Sequence, residues 1–178
     1  VTTRWGELAS ETRQRAAATR VPKRVRNEIV IVLKRLADAG QCSQQVQGWL
    51  TTNAECLTFS PSADGRDGRG HPAVTLRGLP HLQDGAVLSM QIEFASKGAL
   101  RGYNLGVTGA TRQGDLWYAR LDLGLMPEGS GLCGHPLLHF HGGRDPDEDP
   151  QVRAPLAWLE PVDALTSLLA TLDPRHEP

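Results

Sequence analysis

Cysteine is scarce in this chain, and the three present form no framework. Cys42, Cys56 and Cys133 make no C-x-x-C pair and leave an odd residue over. That argues against a disulfide-stapled secreted scaffold and against a four-cysteine zinc module, and it favours a reducing compartment. Long apolar runs are missing too. No stretch approaches the roughly 18–20 residues a membrane helix needs. The first residues are charged and rich in Thr, Glu and Arg, unlike a secretory leader. A cytoplasmic protein with no membrane partner is therefore expected. Aromatic residues make up only 5% of the chain, so the core must rest on aliphatic side chains. No sign of charge dominates: the formal net charge is −1, which argues against wholesale coating of nucleic acid.

The charge is unevenly placed, however. Residues 1–40 hold nine Lys/Arg against four Asp/Glu. A basic helical end on an acidic body is a surface for nucleic acid or an acidic protein partner. The plainer alternative is a solvated helix face. At 178 residues, a single domain over 1–178 is expected. It divides into a helical section (1–52), an antiparallel sheet (53–155) and a closing helix (156–173).

The helical section begins with residues 5–19, where Ala16–Ala18 favour helix without burying much area. Pro22 suits a first turn, and Val25, Ile29, Val32, Leu33 and Leu36 follow at helical spacing up to Gly40. Ser43 can cap a short third helix with Val46, Trp49 and Leu50.

After Asn53 the period changes from helical to two. Ala54–Ser60 is a short strand candidate, and Pro61–Gly70 reads as a loop or hairpin tip. Val74 and Leu76 begin another strand. Ala86, Leu88, Met90, Ile92 and Phe94 alternate with smaller or polar residues, the cleanest strand signal in the chain. Tyr103, Leu105 and Val107 continue the pattern beyond the Lys97-Gly98 turn. Trp117, Ala119, Leu121 and Leu123 then share a face, with Tyr118, Arg120 and Asp122 opposite. Arg153–Pro155 reads as a short extended edge. A Pro161-led helix with Leu165, Leu168, Leu169 and Leu172 should close one side of the sheet. No βαβ alternation is visible. The expected class is α+β: N-terminal helices, an antiparallel β-meander of about five or six strands, and a C-terminal helix.

Chemistry concentrates in Gly134–Gly143, GHPLLHFHGG, where three of the six histidines fall within seven residues. On a strand, His135, His139 and His141 share one face, and Leu138 and Phe140 take the other. Neutral imidazole is a good ligand for zinc and similar divalent metals. His139 and His141 can both reach one ion, with His135 a third donor. Asp122, or Asp145, Asp147, Glu148 and Asp149 of the next loop, can supply oxygen. Arg144 and Arg153 are candidate phosphate or anion contacts. Cys133 is either a further ligand, a nucleophile or a small buried hydrophobe. Histidines that merely satisfy backbone carbonyls are the competing explanation.

The pattern departs from a histidine-triad hydrolase, since Leu137 stands where the middle histidine would be. It departs from a cupin too, since Glu148 lies too far beyond His141. The run H-P-x-x-H-x-H-x-G, then R-x-P at Arg153–Pro155, then a Pro-led leucine helix, resembles the C-terminal end of small bacterial proteins met in toxin–antitoxin and phage-defence neighbourhoods. That resemblance covers residues 117–172 and implies a helix-closed β-meander working with another protein or with nucleic acid. Two functions are then expected in competition, with a small-ligand sensor using the same histidine strand as a third. One is a small cytoplasmic component of a bacterial conflict system whose histidine-lined pocket carries out metal-assisted phosphodiester hydrolysis. The other is a non-enzymatic module that binds protein or nucleic acid through the basic N-terminal helices.

Overall fold

The computed structural model describes residues 4–18, 22–43, 48, 57–66, 72–78, 85–95, 98–111, 113–124, 137–145 and 152–170. Two helices come first, α1 (Arg4–Ala18) and α2 (Pro22–Asp38). Seven strands follow: β1 (Leu57–Arg66), β2 (Pro72–Gly78), β3 (Val87–Phe94), β4 (Leu100–Ala110), β5 (Leu116–Gly124), β6 (Leu138–Gly143) and β7 (Val152–Pro155). A last helix, α3 (Pro161–Ala170), closes the described part of the chain. The strands form one antiparallel meander in sequence order, β1-β2-β3-β4-β5-β6-β7. The α+β class follows directly. None of the described helices is long and apolar enough to cross a membrane.

The sheet differs from the expected five or six strands at its two edges, where one strand is longer and one is added. The chain from Pro61 to Arg66, expected as a loop tip, continues β1 with a register shift between those two residues. The Arg153–Pro155 segment, expected as a short extended edge, pairs with β6 as the seventh strand. The closing helix starts at Pro161, as the proline-led reading expects; residues 156–160, counted with the closing section, are not helical. The short third helix lies outside the described residues apart from Gly48.

α2 forms where the sequence period demands it. Val25, Ile29 and Leu33 recur every four residues and are buried. The helix stops at Gly40, whose φ of 72° is left-handed. The Gly40 N–H donates to Ala37 O and the Gln41 N–H to Leu36 O, which satisfies carbonyls a helix end otherwise leaves open. Arg26 Nε donates to Leu57 O at 3.3 Å and ties this helix to the start of the sheet.

Period two decides the sheet. β3 alternates strictly between half-buried and buried, with Leu88, Met90, Ile92 and Phe94 inward. Register carries that face onward: Leu88 opposes Val107, Met90 opposes Leu105, Leu105 opposes Leu121, and Leu123 opposes Leu138. Leu165 and Leu168 of α3 and Ile29 and Leu33 of α2 join the same core. Each such side chain contributes about 1.5–3 kcal/mol of burial free energy before conformational entropy is charged. Tyr103 reaches from this face to donate its hydroxyl to Leu159 O at 3.1 Å, fixing the segment that leads into α3. The sheet's apolar face is thus spent on helices, and the other face is left for polar groups.

Candidate metal centre

On that second face, register builds two polar rows side by side. In one, Gln91 of β3 opposes Asn104 of β4, Asn104 opposes Asp122 of β5, and Asp122 opposes His139 of β6. In the other, Ser89 opposes Gly106, Gly106 opposes Arg120, and Arg120 opposes His141. Directly opposed residues on one face have neighbouring Cβ atoms, so four polar side chains from β5 and β6 must meet. The pleat makes the pair His139 and His141 possible, since one residue lies between them.

The side chains converge as the rows require. Asp122 Oδ2 lies 3.3 Å from His141 Nδ1 and 4.0 Å from His139 Nε2. The two imidazole centroids are 4.5 Å apart and tilted by 50°. One ligand atom from each of Asp122, His139 and His141 falls within 4.8 Å of the others. Both histidine side chains are only 7% exposed, against 17% for Asp122 and 32% for Arg120. Solvent therefore reaches the cluster mainly from the arginine side.

Asp122 is held at both oxygens. Asn104 Nδ2 donates to Oδ1 at 2.7 Å, and Arg120 Nε donates to Oδ2 at 2.7 Å. Arg120 also places NH2 2.8 Å from His141 Nδ1. Arginine has donors only, so the imidazole nitrogen accepts, and His141 is neutral with its proton on Nε2. A single guanidinium thus neutralises the carboxylate and fixes the ring's tautomer. Gly106 gives it room: a Cβ there would lie 3.5 Å from Arg120 Cγ and 2.9 Å from Ser89 Oγ.

The donor set suits a borderline divalent ion, with two imidazoles and one carboxylate. Metal–nitrogen and metal–oxygen bonds of about 2.0–2.2 Å put tetrahedral ligand atoms about 3.4 Å apart. The Asp122–His141 separation already matches. The other edges need the rings to close by a fraction of an ångström to somewhat over one, and the guanidinium must leave His141.

The sequence-expected residues divide as follows. His139 and His141 come together, and Asp122 is their carboxylate neighbour. His135 and Cys133 lie outside the described residues, as do Asp147, Glu148 and Asp149. Arg144 is exposed just past the end of β6. Arg153 opposes His141 in the β6–β7 register. Sequence reading passed over Arg120 and Asn104. Arg120 shares parity with Asp122 along β5, but only strand register reveals that Arg120 faces His141 of β6 and that Asn104 of β4 faces Asp122. No family model, curated protein or solved structure matches this chain.

Proposed function

We propose that Asp122, His139 and His141 bind one divalent cation of the zinc type and that this site serves phosphodiester hydrolysis. The observation that carries the reading is the convergence of two nearly sealed imidazoles on one carboxylate oxygen, at 3.3 and 4.0 Å. Such an ion, when bound, polarises a phosphoryl oxygen and lowers the pKa of water. The chain's own residues do the rest. Asn104 holds the carboxylate in one orientation through Oδ1. Arg120, more exposed than Asp122 and both histidines, offers a planar fork to a phosphate oxygen. The apolar face beneath keeps β5 and β6 rigid, so the donors stay within ångströms of their places. The bacterial-conflict setting, a cytoplasmic location and a partner protein or nucleic acid are part of the same proposal. They rest on the resemblance of residues 117–172.

A metal-free variant is favoured by one contact. With Arg120 on Nδ1 of His141, the two imidazoles could act as acid and base while the guanidinium holds the phosphate. The binding-module alternative draws less support. Arg15 and Arg24 on the basic helices pair with Glu11 and Glu28 at 2.9 and 2.8 Å, and Arg26 is engaged with Leu57 O. These contacts divert charge from a partner.

Hydrolysis of bis(p-nitrophenyl) phosphate with added Zn²⁺ or Mn²⁺ tests the proposal. Turnover that requires the metal and falls at least about 100-fold in Asp122→Asn and in His139→Ala supports it, a loss typical of removing a catalytic electrostatic group. Turnover indifferent to chelator but lost in the same variants selects the metal-free variant. No turnover in the wild type, or none lost in the variants, overturns the hydrolase reading.

A further inference from the structure

We infer that Arg120 is a resident counter-cation of this site, and that a metal ion and the Arg120 guanidinium exclude one another. The inference rests on the cation-site reading above and adds to it a two-state competition at His141.

The argument turns on lone pairs. A neutral imidazole has one ring lone pair available for a ligand bond, on whichever nitrogen lacks the proton. Arg120 NH2 lies 2.8 Å from His141 Nδ1 and can only donate, so it consumes that lone pair. The remaining nitrogen, Nε2, then carries the proton and cannot ligate. Coordination through Nδ1 requires the guanidinium to leave. Coordination through Nε2 requires the proton to move to Nδ1, and again the guanidinium must leave. In that second case Nδ1–H faces Asp122 Oδ2 at 3.3 Å, which is the carboxylate–histidine–metal arrangement common around zinc. The Asp122 oxygens impose no such exclusion, because each has a second lone pair. Charge acts in the same direction, since a guanidinium and a dication repel in a half-buried site.

Arg120 is also the member able to move. Its side chain is 32% exposed, while both histidines are 7% exposed. Gly106, its neighbour across β4, presents no side chain against its stem. The guanidinium can therefore swing outward on a fixed backbone while the imidazoles stay. The apo cluster is held together by an internal cation in the place a metal takes, and filling the site frees an arginine at its mouth.

Co²⁺ titration of the full chain, read by visible absorption, tests this in the wild type, in Arg120→Met and in His139→Ala/His141→Ala, with circular dichroism as the folding control. Tighter Co²⁺ binding in Arg120→Met, by at least about tenfold (1.4 kcal/mol), with loss of binding in the double histidine variant, is the expected result. Arg120→Gln carries the same expectation should the methionine variant fail to fold. Equal or weaker binding in Arg120→Met, with binding still lost in the histidine variant, overturns the competition and leaves the site reading standing. No binding in either wild type or Arg120→Met, or binding that survives the histidine changes, overturns the site reading itself.

Discussion

Arg120 and His141 face one another across the β5–β6 ladder, and the guanidinium donates to Nδ1 of the imidazole at 2.8 Å. The same arginine holds Asp122 at 2.7 Å. This makes Arg120 and Asp122 an energetically coupled pair. Arg120→Met leaves a carboxylate that is 17% exposed without its cation, which should cost about 1–3 kcal/mol in urea unfolding. The double variant Arg120→Met/Asp122→Asn should cost less than the sum of the singles by about 1 kcal/mol. Strict additivity would show that the pair is not coupled.

Two glycines on the polar face of β4 should respond differently to alanine. A Cβ at Gly102 would lie 2.5 Å from Leu123 O, a backbone atom of the neighbouring strand. The ladder must distort, and Gly102→Ala should lose about 2 kcal/mol or more. At Gly106 the nearest atom is the Ser89 hydroxyl at 2.9 Å, which can rotate away. Gly106→Ala should stay within about 1 kcal/mol and should weaken the Arg120–His141 contact, visible as a changed imidazole ¹⁵N shift. The reverse order of stabilities would contradict the register.

Alkaline unfolding should report on Tyr103. Burial, and then the nearby charges of Glu160 and Asp163, push its phenol well above the ordinary value of 10.0. The folded state therefore holds its proton longer than the unfolded state. The stability from the neutral phenol is complete below pH about 10 and declines as pH rises beyond it. Tyr103→Phe loses the hydrogen bond to Leu159 O, about 1 kcal/mol at neutral pH. Its stability should then fall less steeply than the wild type's above pH 10. Parallel curves would remove the assignment.

The closing helix depends on two leucines. Leu165→Ala, at a site with 0% exposure, should destabilise the fold by about 2–5 kcal/mol. Ser167→Ala, exposed on the outer side of the same helix, should shift stability by under about 0.5 kcal/mol. Equal effects would mean that α3 is not packed against β4 and β5.

The fold was legible wherever one periodicity ran unopposed. α2 and β3 carry clean four-residue and two-residue patterns, and both form with the buried faces those patterns require. β7 was harder because four residues contain too few alternations to set a period. The continuation of β1 through Pro61–Arg66 runs against proline and glycine propensity, which tertiary pairing to β2 overrides. In the site, His139 and His141 announced themselves by spacing, and Asp122 by parity. Arg120's role did not, because it depends on which β6 residue stands opposite, and register is a long-range property that no single strand encodes.

Zinc titration calorimetry of the full chain at neutral pH measures the central claim most directly. The account predicts one ion per chain, lost in His139→Ala/His141→Ala and in Asp122→Ala. A chain that takes up no zinc, or takes it up equally well after the paired histidine change, would show that β5 and β6 assemble a polar network and not a metal centre.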